Sequence, residues 1–174
     1  MPRQPRHLLG DGIFHVTVRG VARADIFHDD DDYQWFISLL ANVVGRFCWR
    51  DHAFCLMPNH YHLVVETTQP RLSDGMHRLN FLYAQGFNDR YERDGHLFQN
   101  RFGARLIADE RHLERACTYV EENPVRAGLS PRAEDWPWSS ATGDTGQRLT
   151  TPSRVSRRLR ARRSPTDARA TREP

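Results

Sequence analysis

The sequence predicts an α+β fold of the ferredoxin-like (RRM-like) type, an antiparallel sheet with helices packed on one face. Three observations predict it. Short alternating runs and longer helical-period runs follow each other in the order β-α-β-β-α-β. The 174 residues, 39% of them apolar, suffice to bury one sizeable core. Residues suited to turns and helix caps, among them Pro58, Ser73 and Asp109, fall at the boundaries between the runs.

The first strand is Gly12–Arg19 (GIFHVTVR). A helix over 32–47 follows, with Trp35, Phe36, Leu39, Leu40, Val43 and Val44 at helical spacing. The acids Asp29 to Asp32 suit the positive end of that helix dipole, which explains them without a metal. Strands over 48–56 and His60–Thr67 are joined through Met57, Pro58 and Asn59. Pro58 biases Met57 away from helix, and Val64 and Val65 favour an extended chain. A helix over 73–91, with Ser73 as its cap, leads to a fourth strand over 102–108. A last helix spans 110–122, capped by Asp109. Trp136 and Trp138 read as lids on the core, and Tyr33, Tyr83 and Tyr91 occupy positions that suit packing. Cys48, Cys55 and Cys117 are odd in number and lack C-x₂-C spacing, which argues against a disulfide framework or structural zinc and for buried, reduced thiols.

Chemistry concentrates at two places. A strand sends His60 and His62 to one face, two imidazoles spaced to grip a divalent ion, although such pairs also occur as plain solvent-facing residues. Tyr119 and Asn123 lie four apart on the last helix, so one face offers a phenol and an amide oxygen. Gln99, Asn100 and Arg101, between Phe98 and Phe102, suit phosphate holding and base stacking. His15 and His112 could approach the site, but a lone histidine is more often a satisfied structural residue. All 25 basic residues are arginine; the absence of lysine excludes a Walker-type phosphate loop, a Schiff base and a lysine-adenylated ligase.

Several stretches together resemble the single-tyrosine HUH transposases, and within them the REP-associated tyrosine transposases. They are MPNHYH at 57–62, GHLFQNRF at 95–102, YVEENPVRAG at 119–128 and DWPWSS at 135–140. The resemblance implies the same sheet fold, with the metal site on its open face. It implies that His60, His62 and Asn123 bind Mg²⁺ or Mn²⁺ and that Tyr119 attacks single-stranded DNA, giving a 5′-phosphotyrosine and a free 3′-hydroxyl. DNA contacts then fall to Gln99, Asn100, Arg101, Arg105 and Arg126. The partner is single-stranded DNA bearing REP-like hairpins, handled by a monomer or homodimer. Pro124 disfavours helix at Asn123; if the helix stops early, the third ligand is Glu122 or water. Imidazole ligands would also accept zinc or nickel. Tyr61 stands where the family has a plain apolar residue, and pleating aims it at the opposite face. The alternatives are a catalytically silent hairpin-binding protein and a nuclease using metal-activated water, which would leave Tyr119 idle.

Charge is regional. Residues 151–174 hold 8 arginines against 2 acids, whereas the whole chain is only +3. We therefore expect a single domain over 1–141 and an arginine-rich, disordered tail over 142–174 able to bind phosphates without reading sequence. No apolar run approaches a membrane span, so the expected setting is cytoplasmic and nucleoid-associated, with no membrane partner.

Overall fold

Alternation along β1 (Gly12–Arg19) buries Phe14, Val16 and Val18 on one face of the sheet and leaves His15, Thr17 and Arg19 on the other. The computed structural model describes residues 10–142. All but the first residue of the expected arginine-rich tail lies outside them. The chain continues as α1 (Asp30–Arg46), β2 (Arg50–Met57), β3 (His60–Thr67), α2 (Leu72–Arg90), β4 (Gly103–Leu106), α3 (Glu110–Glu121) and the single turn α4 (Asn123–Arg126). The strands form one antiparallel sheet in the order β2-β3-β1-β4, the ferredoxin-like arrangement.

Helices α1 and α2 share one face of the sheet, where Phe36, Leu40, Phe54, Tyr61, Leu63, Leu79 and Tyr83 form the main core. Helix α3 takes the other face. Its Leu113, Ala116, Cys117 and Val120 recur at helical spacing and pack on Ala53, Cys55 and Val64 of β2 and β3. Packing on one face therefore holds for α1 and α2 and does not extend to α3. Because α3 sits over β2 and β3, the outer positions of β1 remain partly open.

Several boundaries differ from expectation for local reasons. Asp29 caps α1 by accepting the Asp32 N–H at 3.1 Å, so the helix starts two residues early. Arg90 bridges Asp29 and the fully buried Asp32, at 2.7 Å each, and Tyr91 donates its hydroxyl to Asp32 at 2.9 Å. The acidic run is structural. Strand β2 starts at Arg50 because Cys48 adopts a left-handed backbone (φ 52°) in the turn after α1. Ser73 does not cap α2; it lies within the first turn of a helix that begins at Leu72. Strand β4 is only four residues long, an edge strand with mostly exposed side chains. Cys55 and Cys117 are buried free thiols as expected, whereas Cys48 is exposed. Trp136 donates its indole N–H to the Leu56 carbonyl at 2.9 Å, and Trp138 stacks on Tyr33 at 4.7 Å, so both close the core beside β2. Among the described residues no helix is long and apolar enough to cross a membrane.

The β1–α1 connection is stitched to the tip of the β2–β3 hairpin. Gly20 donates its N–H to the Asn59 carbonyl at 2.9 Å, and Ile26 donates to Pro58 at 2.7 Å. A Cβ on Gly20 would lie 2.2 Å from the Ala24 carbonyl oxygen, a backbone atom that cannot swing aside. Gly20→Ala is therefore expected to lower stability by about 1–3 kcal/mol, as overpacking does, read as a lower urea midpoint at unchanged slope.

Candidate active site

Two residues, Pro58 and Asn59, turn β2 into β3, and Met57 pairs with His60 directly across the turn. On the other side of β3, His60 pairs with Arg19 and His62 with Thr17, while His15 pairs with Arg105 of β4. Opposed residues in antiparallel strands share a face. His15, Thr17, Arg19, His60, His62 and Arg105 therefore all project from the side that β1 leaves open.

The histidines engage one another at close range. His62 Nδ1 lies 2.9 Å from His15 Nε2 and 3.3 Å from Thr17 Oγ1, and the two rings stack with centroids 5.1 Å apart. His60 Nδ1 lies 2.7 Å from Asn59 Oδ1. Seating its apolar stripe on β2 and β3 brings Tyr119 of α3 to this group. Its ring is edge-on to His62 at 5.8 Å and to His15 at 5.9 Å. The Arg126 guanidinium lies over the Tyr119 ring at 5.1 Å and pairs with Glu122 at 3.1 Å. Tyr119 is 41% exposed, so a strand can reach its phenol.

Helix α3 stops at Glu121, as Pro124 foreshadows. Asn123 nevertheless stays beside Tyr119, because its side-chain N–H donates to the Tyr119 carbonyl at 2.9 Å and leaves Oδ1 as an acceptor. Glu122, the third ligand expected if the helix stops early, is engaged by Arg126.

Burial, and then the Arg19 charge, hold His60 at about 4; burial, followed by His15, His60 and Arg19, holds His62 at about 3. His15 is lowered too, by burial first and then by Arg105 and His112. All three imidazoles are neutral at pH 7 and keep a lone pair. Among the described residues no three His, Cys, Asp or Glu side chains gather as a metal cluster. What the site offers instead is two neutral imidazoles on one face of β3, with the Asn123 side chain bonded to the Tyr119 carbonyl on the adjoining helix.

Residues 10–123 match the family model described as transposase, IS200-like. The chain belongs to that family. A Haemophilus influenzae protein named after the REP-associated tyrosine transposases is 28% identical over 119 residues; the match covers 60% of this chain and 66% of that protein, just under two thirds of its length. A solved REP-associated tyrosine transposase bound to a REP hairpin superposes with a TM-score of 0.68 at 19% identity, over 89% of this chain and 93% of that one. This likeness shows the shared fold.

Within this IS200-like transposase the Gln99–Arg101 loop is held beside the site. Gln99 donates its N–H to the Arg19 carbonyl at 2.9 Å, and the Arg101 carbonyl accepts from the Asn80 side chain at 2.8 Å, with all three loop side chains exposed. Arg105 faces the site from the sheet edge, and Arg126 sits on the tyrosine itself. The sequence reading omits Thr17 and Arg19, and weighs His15 as structural more than as a residue approaching the site. The signal was present in the period-2 alternation of GIFHVTVR, which puts all three on the face opposite Phe14, Val16 and Val18.

Proposed function

We propose that this IS200-like transposase nicks single-stranded DNA beside a REP-like hairpin, holds the 5′ end on Tyr119 and rejoins it to a 3′ end. The observation that carries this reading is the meeting, within one chain, of the Tyr119 ring and His62 at 5.8 Å. Proximity within one chain also favours a monomer that uses its own tyrosine. The hairpin in the solved neighbour supports hairpin-bearing strands as the substrate class.

The chemistry divides among the residues as follows. The phenolic oxygen of Tyr119 forms a new P–O bond, the P–O3′ bond breaks, and the 3′ oxygen leaves as a hydroxyl. One phosphoester replaces another, so resealing needs no nucleoside triphosphate. A phenol of pKa about 10 is only about 0.1% ionised at pH 7, so attack needs assistance. His60, His62 and Asn123 would hold Mg²⁺ or Mn²⁺, which when bound supplies charge stabilisation at a non-bridging phosphate oxygen. Arg19 and Arg105 line the open face and attract the backbone, while Gln99, Asn100 and Arg101 flank it. The arginine-rich segment beyond the domain adds affinity without sequence reading.

The test is to incubate the full chain with end-labelled hairpin-bearing single strands and Mn²⁺, then separate the products under denaturing conditions. A labelled protein adduct supports strand transfer. Cleavage without adduct supports a water-using nuclease, and retention without cleavage a silent binder. In equilibrium binding titrations with the same strands, Arg105→Ala is expected to weaken binding across sequences and to reduce the slope of log affinity against log salt by about 1.

A further inference from the structure

Both histidines of the strand pair are engaged through the same ring nitrogen, by different neighbours. Asn59 holds His60. Its amide nitrogen donates to the Arg23 carbonyl at 3.2 Å, which turns Oδ1 toward His60 Nδ1 at 2.7 Å. An amide oxygen only accepts, so Nδ1 of His60 carries the proton and Nε2 carries the lone pair. His62 is 6% exposed, and its Nδ1 faces His15 Nε2 at 2.9 Å with the Thr17 hydroxyl at 3.3 Å. Two imidazole nitrogens at that distance share one proton between them. If it belonged to His15, the proton of neutral His62 would sit on Nε2 and no lone pair would be left for a ligand. If it belongs to His62, His15 accepts, and His62 Nε2 is free like that of His60.

We infer that Asn59 and His15 are positioning residues that hold His60 and His62 as Nδ1–H tautomers, so that both Nε2 lone pairs are presented to one cation. The inference rests on the reading of the two histidines as ligands. It gives side-chain work to two residues: Asn59, whose backbone serves the turn and its bond to Gly20, and His15. A histidine free in water favours the Nε2–H form, so without these partners both rings would default to the tautomer that cannot bind through Nε2. The arrangement has the logic of outer-sphere partners that fix a ligating imidazole by its second nitrogen. His15 also lies edge-on to the Tyr119 ring, so the residue that orients a ligand touches the nucleophile as well.

Long-range proton–nitrogen correlation spectra of ¹⁵N-labelled, metal-free protein read the tautomers directly and require no variant. Nδ1–H forms are expected for both His60 and His62; an Nε2–H His62 overturns the inference. His15→Phe keeps a ring but removes the acceptor. It is expected to shift His62 toward Nε2–H and to weaken Mn²⁺ binding by about 10–100-fold, the usual cost of losing such a partner. His15→Gln, whose amide oxygen accepts, is expected to restore most of that affinity. Unchanged Mn²⁺ affinity in folded His15→Phe also overturns it. If Mn²⁺ binding is untouched by His62→Ala, the ligand reading fails instead, and the tautomers still report on Asn59 and His15 separately.

Discussion

Tyr119→Phe is expected to abolish the denaturation-resistant protein–DNA adduct while leaving the fold and the capture of hairpin-bearing strands intact. The substitution removes one oxygen. The ring contacts with His15, His62 and Arg126 need only the ring, so they persist. The phenol group is exposed enough that its loss should change stability by no more than about 0.5 kcal/mol. What disappears is the proposed nucleophile. No other tyrosine can stand in: Tyr61 is fully buried on the opposite face, donating to Asn80, Tyr33 and Tyr83 are locked in the aromatic core with their hydroxyls pushed well above the ordinary range by burial, and Tyr91 at the end of α2 donates its hydroxyl to the buried Asp32 at 2.9 Å. The measurement is a denaturing gel of labelled strand with parent and variant at equal hairpin occupancy. Persistent cleavage by Tyr119→Phe would sink the assignment of the nucleophile: without adduct it favours attack by water, and with adduct it moves the attack to another side chain.

Strand and helix order was legible because each run has a clear period. GIFHVTVR alternates, and the α1 stripe from Phe36 to Val44 repeats at helical spacing. The histidine pair was legible for the same reason, since i and i+2 on a strand share a face whatever the tertiary fold. Proximity across the chain was not. Nothing local in Glu110–Glu121 says which face of the sheet its apolar stripe will choose; that follows from β2 and β3 carrying a second apolar row, Ala53, Cys55 and Val64, behind the main core. Once α3 takes that face, Tyr119 meets the histidines. His15 illustrates the other limit. Its partner is 47 residues away, and only the β1–β3 register puts the two rings together. Ser73 and Cys48 failed for a smaller reason: capping and turn geometry depend on where the preceding backbone enters, which propensity does not determine.

His62→Ala is expected to lower Mn²⁺ affinity by more than the roughly 10–100-fold associated with losing a residue that merely supports a ligand. It should also flatten the acid limb of the stability profile. Burial is the first cause of the depressed His62 value of about 3, against 6.5 for the unperturbed ring. Above pH 6.5 neither the folded nor the unfolded state protonates this group appreciably, and its contribution is fully present. As pH falls below 6.5 the unfolded chain takes a proton that the folded one refuses, so stability declines by about 1.4 kcal/mol per pH unit for that proton until the pH approaches 3. His60 and His15, both lowered chiefly by burial, act in the same direction. Urea midpoints of parent and variant from pH 7.5 to 4.5 isolate the His62 share as the difference in slope. The variant starts lower because a buried ring has been removed, then converges on the parent as acid is added. Titrations with Mn²⁺ over the same range give the complementary signature: affinity in the parent should be nearly level from pH 7.5 to 6, where ordinary histidines would already be losing ligand to protons. An affinity that falls through pH 6.5 in the parent, or an acid limb equally steep in both proteins, would show that His62 is not the neutral, buried donor this site requires.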